Sequence, residues 1–374
     1  MSARKPLIDH LPEFPWDQIA DVKERAAAYP EGLIDLSVGS PVDPVAPGVQ
    51  LGLTAAGGLT GYPQTKGTAE LRNEIVQALA RRFGLFGLSE NAVLPVIGLK
   101  EAIAWLPTLF GFQGQTVCFP RLAYPTYEVA ALLAGATPQR GDCPAEFGDA
   151  RLVFVNSPSN PTGAVKPVDE LREIVAWARE TGAIVASDEC YLGLGYNDAQ
   201  PPVSILDERV SGGDHTGLVA LHSLSKTANL ASYRAGFIAG DEDLVQELLA
   251  VRKHAGLIVP GPIQAAMVEA LRDDASAQLQ RHRYAARRAV LMKALIGAGF
   301  HIEKSDAGMY LWTTRGQSDR DSAEWLAERG ILAALGSFYG PDGAQFVRVG
   351  LNATDDKIAE AAERINEPHA AEKN

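Results

Sequence analysis

The chain has 374 residues, 46% of them hydrophobic and 21% charged, which suffices for two domains and a large buried core. A net charge of −12 argues against a nucleic-acid surface and leaves room for a local cationic pocket that takes a small anion. Three scattered cysteines make neither a disulfide framework nor a metal site, no apolar run reaches the roughly 18 residues of a membrane span, and the N-terminus lacks a signal-peptide core, so a cytoplasmic protein is expected.

Residues 1–20 are Pro-rich and read as an arm lying on another surface, followed by a helical stretch around Trp16 to Ala28. Leu33 to Pro44 is a short strand ending in Gly39, where glycine serves either a turn or close approach to a ligand. Gly61 to Gly84 is a turn, then a helix capped by Thr68 with Leu71, Ile75, Leu79 and Phe83 on one face. Asn91 to Phe110 reads as strand, Gly98 and helix, leaving the backbone N–H groups of Leu99 and Lys100 free at a helix N-terminus that favours an anion. The alternation continues through a strand at Thr116 to Pro120, a buried strand and polar loop over Arg151 to Gly163, a strand ending in Asp188 within Ala183 to Tyr196 and a strand at Gly217 to Lys226, with helices at Tyr124 to Ala136 and Pro167 to Gly182. Such alternation predicts a parallel α/β sheet with ligands at the carboxyl ends of its strands. After Gly240 the chain is mostly helical to Gly299. Three short strands follow, with a helix at Ser322 to Arg329 among them and a last helix at Thr354 to Ile365, which predicts a smaller α+β domain. The ending HAAEKN reads as a frayed tail.

The stretch Leu221 to Gly240, LHSLSKTANLASYRAGFIAG, sets Lys226 among small hydroxyl residues and follows it with Arg234. A nucleophilic lysine needs a carbonyl partner, and an arginine with hydroxyls suits a phosphate. A carbonyl compound that carries its own phosphate is pyridoxal phosphate. The other strand ends carry what that group requires. Asp188 can pair with a protonated pyridine nitrogen, Asn160 and Tyr191 can bond the ring oxygen, and Tyr124 can stack on the ring. Ser223, Ser225, Arg234 and the amides of Leu99 and Lys100 can hold the phosphate. Each residue alone has an ordinary structural use as a cap, a turn or a core aromatic; together, in this order, they converge on one site.

The segments NSPSNPTG, SDECY, SLSKTANLASYRAG and FVRVGL resemble the signature segments of class I/II aminotransferases of fold type I, from about Gly39 to about Arg348. The resemblance implies a large domain with a mostly parallel seven-stranded sheet between helices, plus a smaller α+β domain. The limits expected are 1–44 for the arm and part of the small domain, 45–260 for the large cofactor-binding domain, and 261–374 for interdomain helices and the rest of the small domain. It implies Lys226 as Schiff-base lysine and proton carrier, with Asp188 and Tyr191 beside it in catalysis. It also implies Arg348, with Gly39 and Asn160, at the substrate, and a homodimer in which Tyr62 of the partner subunit reaches the phosphate. Segments such as VIGLKEAIAWLPTLFG, VRKHAGLIVPGPIQAAM and SDAGMYLW resemble more narrowly the actinobacterial type of N-succinyldiaminopimelate aminotransferase. That likeness implies amino transfer between glutamate and a 2-oxo acid with distant carboxylates, for which Lys66, Lys100, Arg121, Arg252 and Lys253 are candidate cations. An aspartate, alanine or kynurenine-type aminotransferase and a C–S β-lyase are the alternatives.

Overall fold

The structure, a computed structural model, describes residues 6–367; the first five residues of the expected arm and the expected tail His369–Asn374 lie outside them. In chain order the strands are β1 (Ile34–Asp35), β2 (Val93–Ile97), β3 (Thr116–Phe119), β4 (Thr137–Arg140), β5 (Leu152–Asn156), β6 (Ile184–Asp188), β7 (Leu218–Ser223), β8 (Ala235–Gly240), β9 (His301–Glu303), β10 (Tyr310–Thr314), β11 (Ile331–Leu332), β12 (Ala334–Leu335) and β13 (Val347–Gly350). Strands β2 to β8 form a seven-stranded sheet in the order β2-β8-β7-β6-β5-β3-β4. The sheet is mostly parallel; β8 is the exception, running antiparallel to both β2 and β7. β8 departs from the parallel pattern because only the short 224–234 loop, with no crossover helix, joins it to β7, and a parallel return needs a longer connection. β4 was not anticipated: Pro138 breaks the apolar pattern and is tolerated because β4 is an edge strand.

Side-chain alternation along the strands builds two cores. In β5, Leu152 and Phe154 pack on the side of helices Leu99–Leu109 and Thr126–Leu133, while Val153 and Val155 meet helices Ala69–Phe83 and Val168–Thr181. Each fully buried Leu or Phe contributes about 1.5–3 kcal/mol relative to exposure. In β7, Val219 and Leu221 take the first side, Leu218 and Ala220 the second. The same period of two assigns Ser223 to the first side and His222 to the second. His222 accordingly stacks between Phe83 and Phe237 of the second core.

A second sheet, β12-β13-β10-β9, is antiparallel, and β1 pairs in parallel with β11 beside it. Its core includes side chains of the helices Ala20–Ala27, Asp274–Gly297, Asp319–Ala327 and Asp355–Asn366. The helix expected at Ser322 to Arg329 begins earlier, at Asp319, because the Ser318 hydroxyl accepts the Asp321 N–H at 3.0 Å and caps it. Arg287 of the long helix donates to Asp43 at 2.6 and 2.8 Å and to Asp355 at 2.6 Å, tying the loop after Gly39 to the second sheet's helices. Among the described residues no helix is long and apolar enough to cross a membrane, and no group of three or more His, Cys, Asp or Glu residues is placed to hold a metal ion.

Candidate active site

Because β2, β3, β5, β6 and β7 run the same way, Gly98, Tyr124, Asn160, Asp188, Tyr191 and Lys226 all follow strand ends at one edge of the large sheet. Antiparallel β8 starts where they end, so Arg234, just before it, joins them. Such an edge is where open α/β sheets take ligands.

Asp188 is buried, its Oδ2 accepting from the Tyr127 hydroxyl at 2.7 Å and its Oδ1 from the Cys190 N–H at 3.1 Å. Burial pushes its carboxyl up to about 6, against the opposing pull of those two hydrogen bonds. A buried carboxylate with no cation beside it among the described residues is poised for one, and a protonated pyridine nitrogen is such a partner. Lys226 is half-buried and donates from Nζ to the Gly39 carbonyl. The Ser223 hydroxyl accepts the Ser225 N–H at 3.1 Å, folding the loop tightly before the lysine.

Gly98 has φ +73° and caps helix Leu99–Leu109 without a side-chain hydrogen bond, so the amides of Leu99 and Lys100 face outward. A Cβ at Gly98 would strike Arg234 Nη2 and lie 2.8 Å from its Cζ, so the glycine admits the guanidinium against the helix start. Arg234 itself sits at φ +57° with Nη1 donating to Ala231 O at 2.9 Å. Free amides, a helix N-terminus and a guanidinium form a cradle whose donor set fits a phosphate. The residues present therefore fit pyridoxal phosphate at both of its charged ends.

Arg348, on β13 of the second sheet, is 2% exposed. It donates from Nη1 to Asn160 Oδ1 at 2.7 Å and from Nη2 to Ser37 O at 2.6 Å, and its Nε has no hydrogen-bond partner among the described residues. The guanidinium lies 3.7 Å from the Tyr310 ring centroid. Tyr310 also receives a hydrogen bond from the Tyr191 hydroxyl at 3.3 Å, and its oxygen fills the space a Cβ at Gly39 would need. Tyr124 is half-buried, edge-on to Tyr127 at 5.9 Å, and burial pushes its phenol up. Tyr62 is fully exposed.

Two of the candidate cations for a distant carboxylate are already engaged. Arg252 is fully buried and paired with Glu101 at 3.0 and 3.1 Å, and Arg121 pairs with Glu146 at 2.6 Å. Lys66, Lys100 and Lys253 stay exposed, the Lys100 ammonium 5.7 Å from the Phe14 ring. Sequence reasoning did not single out Tyr127 or Tyr310. Tyr127 carried a signal, since it follows Tyr124 by three positions at a helix start and so shares its face; Tyr310 looked like one more aromatic in a core strand.

Residues 31–365 match the family model described as aminotransferase class I and II. A "probable aminotransferase" of Mycobacterium tuberculosis is 60% identical over 97% of this chain and 87% of its own length. The 4-dedimethylamino-4-oxo-anhydrotetracycline transaminase of Streptomyces rimosus is 52% identical over 95% of this chain and 99% of its own. Among solved structures, a probable N-succinyldiaminopimelate aminotransferase from Thermus thermophilus superposes with a TM-score of 0.84 at 29% identity, covering 94% of this chain and 99% of that one. With its sheet, its strand-end lysine and the span of these matches, the chain belongs to the class I and II aminotransferases, a family whose cofactor is pyridoxal phosphate.

Proposed function

We propose that this aminotransferase moves an amino group between glutamate or 2-oxoglutarate and the pair N-succinyl-LL-2,6-diaminopimelate and N-succinyl-2-amino-6-oxopimelate, with ping-pong kinetics, in the diaminopimelate route to lysine. The observation that carries a carboxylate substrate is Arg348, a buried guanidinium with no ion pair among the described residues and a free Nε. Support for the finer substrate comes from the narrower sequence likeness and from the Thermus protein, whose name carries that reaction. Lys66, Lys100 and Lys253 are the candidate cations still open to its distant carboxylates. The same reading includes a cytoplasmic homodimer, a large cofactor domain over 45–260, and a small domain drawn from 1–44 and 261–374.

In this reading Asp188, Tyr124, Asn160 and Tyr191 hold the cofactor ring. Ser223, Ser225, Arg234, the amides of Leu99 and Lys100, and Tyr62 of the partner subunit hold its phosphate. Bound pyridoxal phosphate supplies a carbonyl for the substrate amine and an electron sink for the bond broken at the α-carbon. Arg348 grips the α-carboxylate through paired N–H donors, and Asn160, accepting from Nη1, fixes the plane of that fork. Lys226 Nζ would carry the proton from the substrate α-carbon to the cofactor carbon in one half-reaction and back in the other. The Gly39 carbonyl, which accepts from Nζ, orients the amine between these steps.

The 52% relative favours a second reading, amination of a polycyclic ketone by the same residues. An absorption spectrum of the cofactor-loaded protein separates the two. The near-visible cofactor band should collapse on adding succinyl-diaminopimelate and return with 2-oxoglutarate. A band that answers glutamate but ignores succinyl-diaminopimelate keeps the family and removes this substrate. Pyruvate released from cystathionine, with no glutamate formed from succinyl-diaminopimelate and 2-oxoglutarate, points instead to a C–S β-lyase.

A further inference from the structure

A cavity of about 230 Å³ opens between helices Ala69–Phe83 and Asp274–Gly297. It lies on the opposite side of the sheet from Asp188. Asp188 bonds Tyr127 of the core on the Leu99–Leu109 side, whereas Glu189 and His222, each one residue out of phase with the cofactor-facing set, look the other way, towards the core of Phe83 and Phe237. Ser223 and Cys190 line it as well, so it reaches the end of β7 beside the phosphate residues, whereas Lys226, Arg234 and Arg348 do not line it.

Glu189 and His222 line the cavity and are 2% and 4% exposed. Glu189 Oε1 accepts the Ile205 N–H at 2.8 Å, and the side chains of Ser204 and Ser187 also hydrogen-bond the carboxyl. Glu189 Oε2 and His222 Nε2 stand 3.5 Å apart, and neither has a hydrogen-bond partner among the described residues. Burial pushes the Glu189 carboxyl up to about 7 and the His222 imidazole down to about 3, so the imidazole is neutral and offers a lone pair. Buried polar atoms left in this state cost stability until a partner reaches them. An ammonium group, with three donors and a positive charge, serves both atoms at once.

The rest of the lining selects the other end of the ligand. Arg81 and Arg82 share Asp274 at 3.2 and 2.6 Å, and Arg281 pairs with Asp198. Three guanidiniums thus face two carboxylates, and their Nη1 atoms carry no hydrogen bond among the described residues. Leu79, Leu192, Leu224 and Leu271 also line the cavity and supply an apolar wall.

We propose that this cavity is a second binding site, adjoining the amino-transfer site at Ser223, for a small ω-amino carboxylate. Its ammonium sits on Glu189 and His222, its alkyl chain lies along the leucines, and its carboxylate meets the arginines.

Calorimetric titration of the cofactor-loaded protein with 6-aminohexanoate, hexanoate and hexylamine tests this. 6-Aminohexanoate should bind saturably in the millimolar range or tighter, and each single-ended probe about tenfold more weakly or worse. Arg348→Ala should bind it like the wild type, while Glu189→Gln and Arg81→Gln should each weaken it about tenfold. Arg81 is at the surface and Arg82 keeps Asp274 without it, so Arg81→Gln gives a reading even where Glu189→Gln fails to fold. The proposal falls if no saturable binding is seen, if hexanoate binds as well as 6-aminohexanoate, or if binding is lost in Arg348→Ala and kept in Arg81→Gln.

Discussion

At the scale of single residues, Asp188 and Arg348 are charges held in place before their partners arrive. Burial raises the Asp188 carboxyl from 3.8 to about 6, so the cofactor-free folded chain binds a proton more tightly there than the unfolded chain does. Stability from that proton is fully present below about pH 4 and is lost as pH rises to about 6, a loss of about 3 kcal/mol at most. Asp188→Asn removes the titration. Melting temperatures of cofactor-free wild type and Asp188→Asn, taken from pH 4.5 to 7.5, should therefore diverge, with the variant gaining relative to wild type as pH rises; parallel curves would mean the carboxyl is not held as described. Arg348→Ala removes the proposed carboxylate grip from a different sheet, so the cofactor spectrum should be unchanged. Its kcat/KM should fall about a hundredfold, the loss expected of a desolvated charge-assisted pair, and an unchanged kcat/KM would take Arg348 out of the substrate site.

At the scale of elements, the start of helix Leu99–Leu109 and the start of helix Ala69–Phe83 do different work. Gly98→Ala puts a side chain at φ +73° and against Arg234, so cofactor titration should show weakened binding. Thr68→Ala removes the hydroxyl that accepts the Leu71 N–H at 3.1 Å, and should cost about 1 kcal/mol of stability with cofactor affinity unchanged. Both helix starts were legible in the sequence because the cap residue, the glycine and the apolar period are local signals. The placement of Asp188, Asn160 and Lys226 at one edge followed from reading each as the end of an apolar run in a sheet of parallel strands. What stayed hidden was set by non-local partners. Arg252 looked like a free cation until helix packing brought Glu101 to it. Tyr127 and Tyr310 looked like core aromatics, yet one bonds Asp188 and the other lies against Arg348, Tyr191 and Gly39. The direction of β8 depended on the missing crossover helix, and β4 on an edge that admits Pro138.

At the scale of the whole molecule, one group of the apolar side chains left in solvent falls between residues 38 and 62, while others lie near the N-terminus and on several helices. Val38 and Val42 flank Gly39, Leu51 and Leu59 are 70% and 63% exposed, and Tyr62 is fully exposed. A chain segment with this many uncovered apolar side chains is expected to meet another protein surface. In the proposed homodimer that surface is the same segment of a second copy, and it delivers Tyr62 of the partner subunit to the phosphate cradle at Gly98 and Arg234. The double substitution Leu51→Glu with Leu59→Glu places two buried charges in such an interface and should leave a folded monomer by light scattering, with weakened cofactor retention and little activity. Tyr62→Phe separates assembly from contact: it should stay dimeric, with cofactor affinity lowered by the worth of one hydrogen bond to a charged group, about 1.5–3 kcal/mol. A doubly substituted protein that remains a fully active dimer would place the interface elsewhere. A Tyr62→Phe dimer with unchanged affinity would keep the interface and remove the tyrosine from the phosphate.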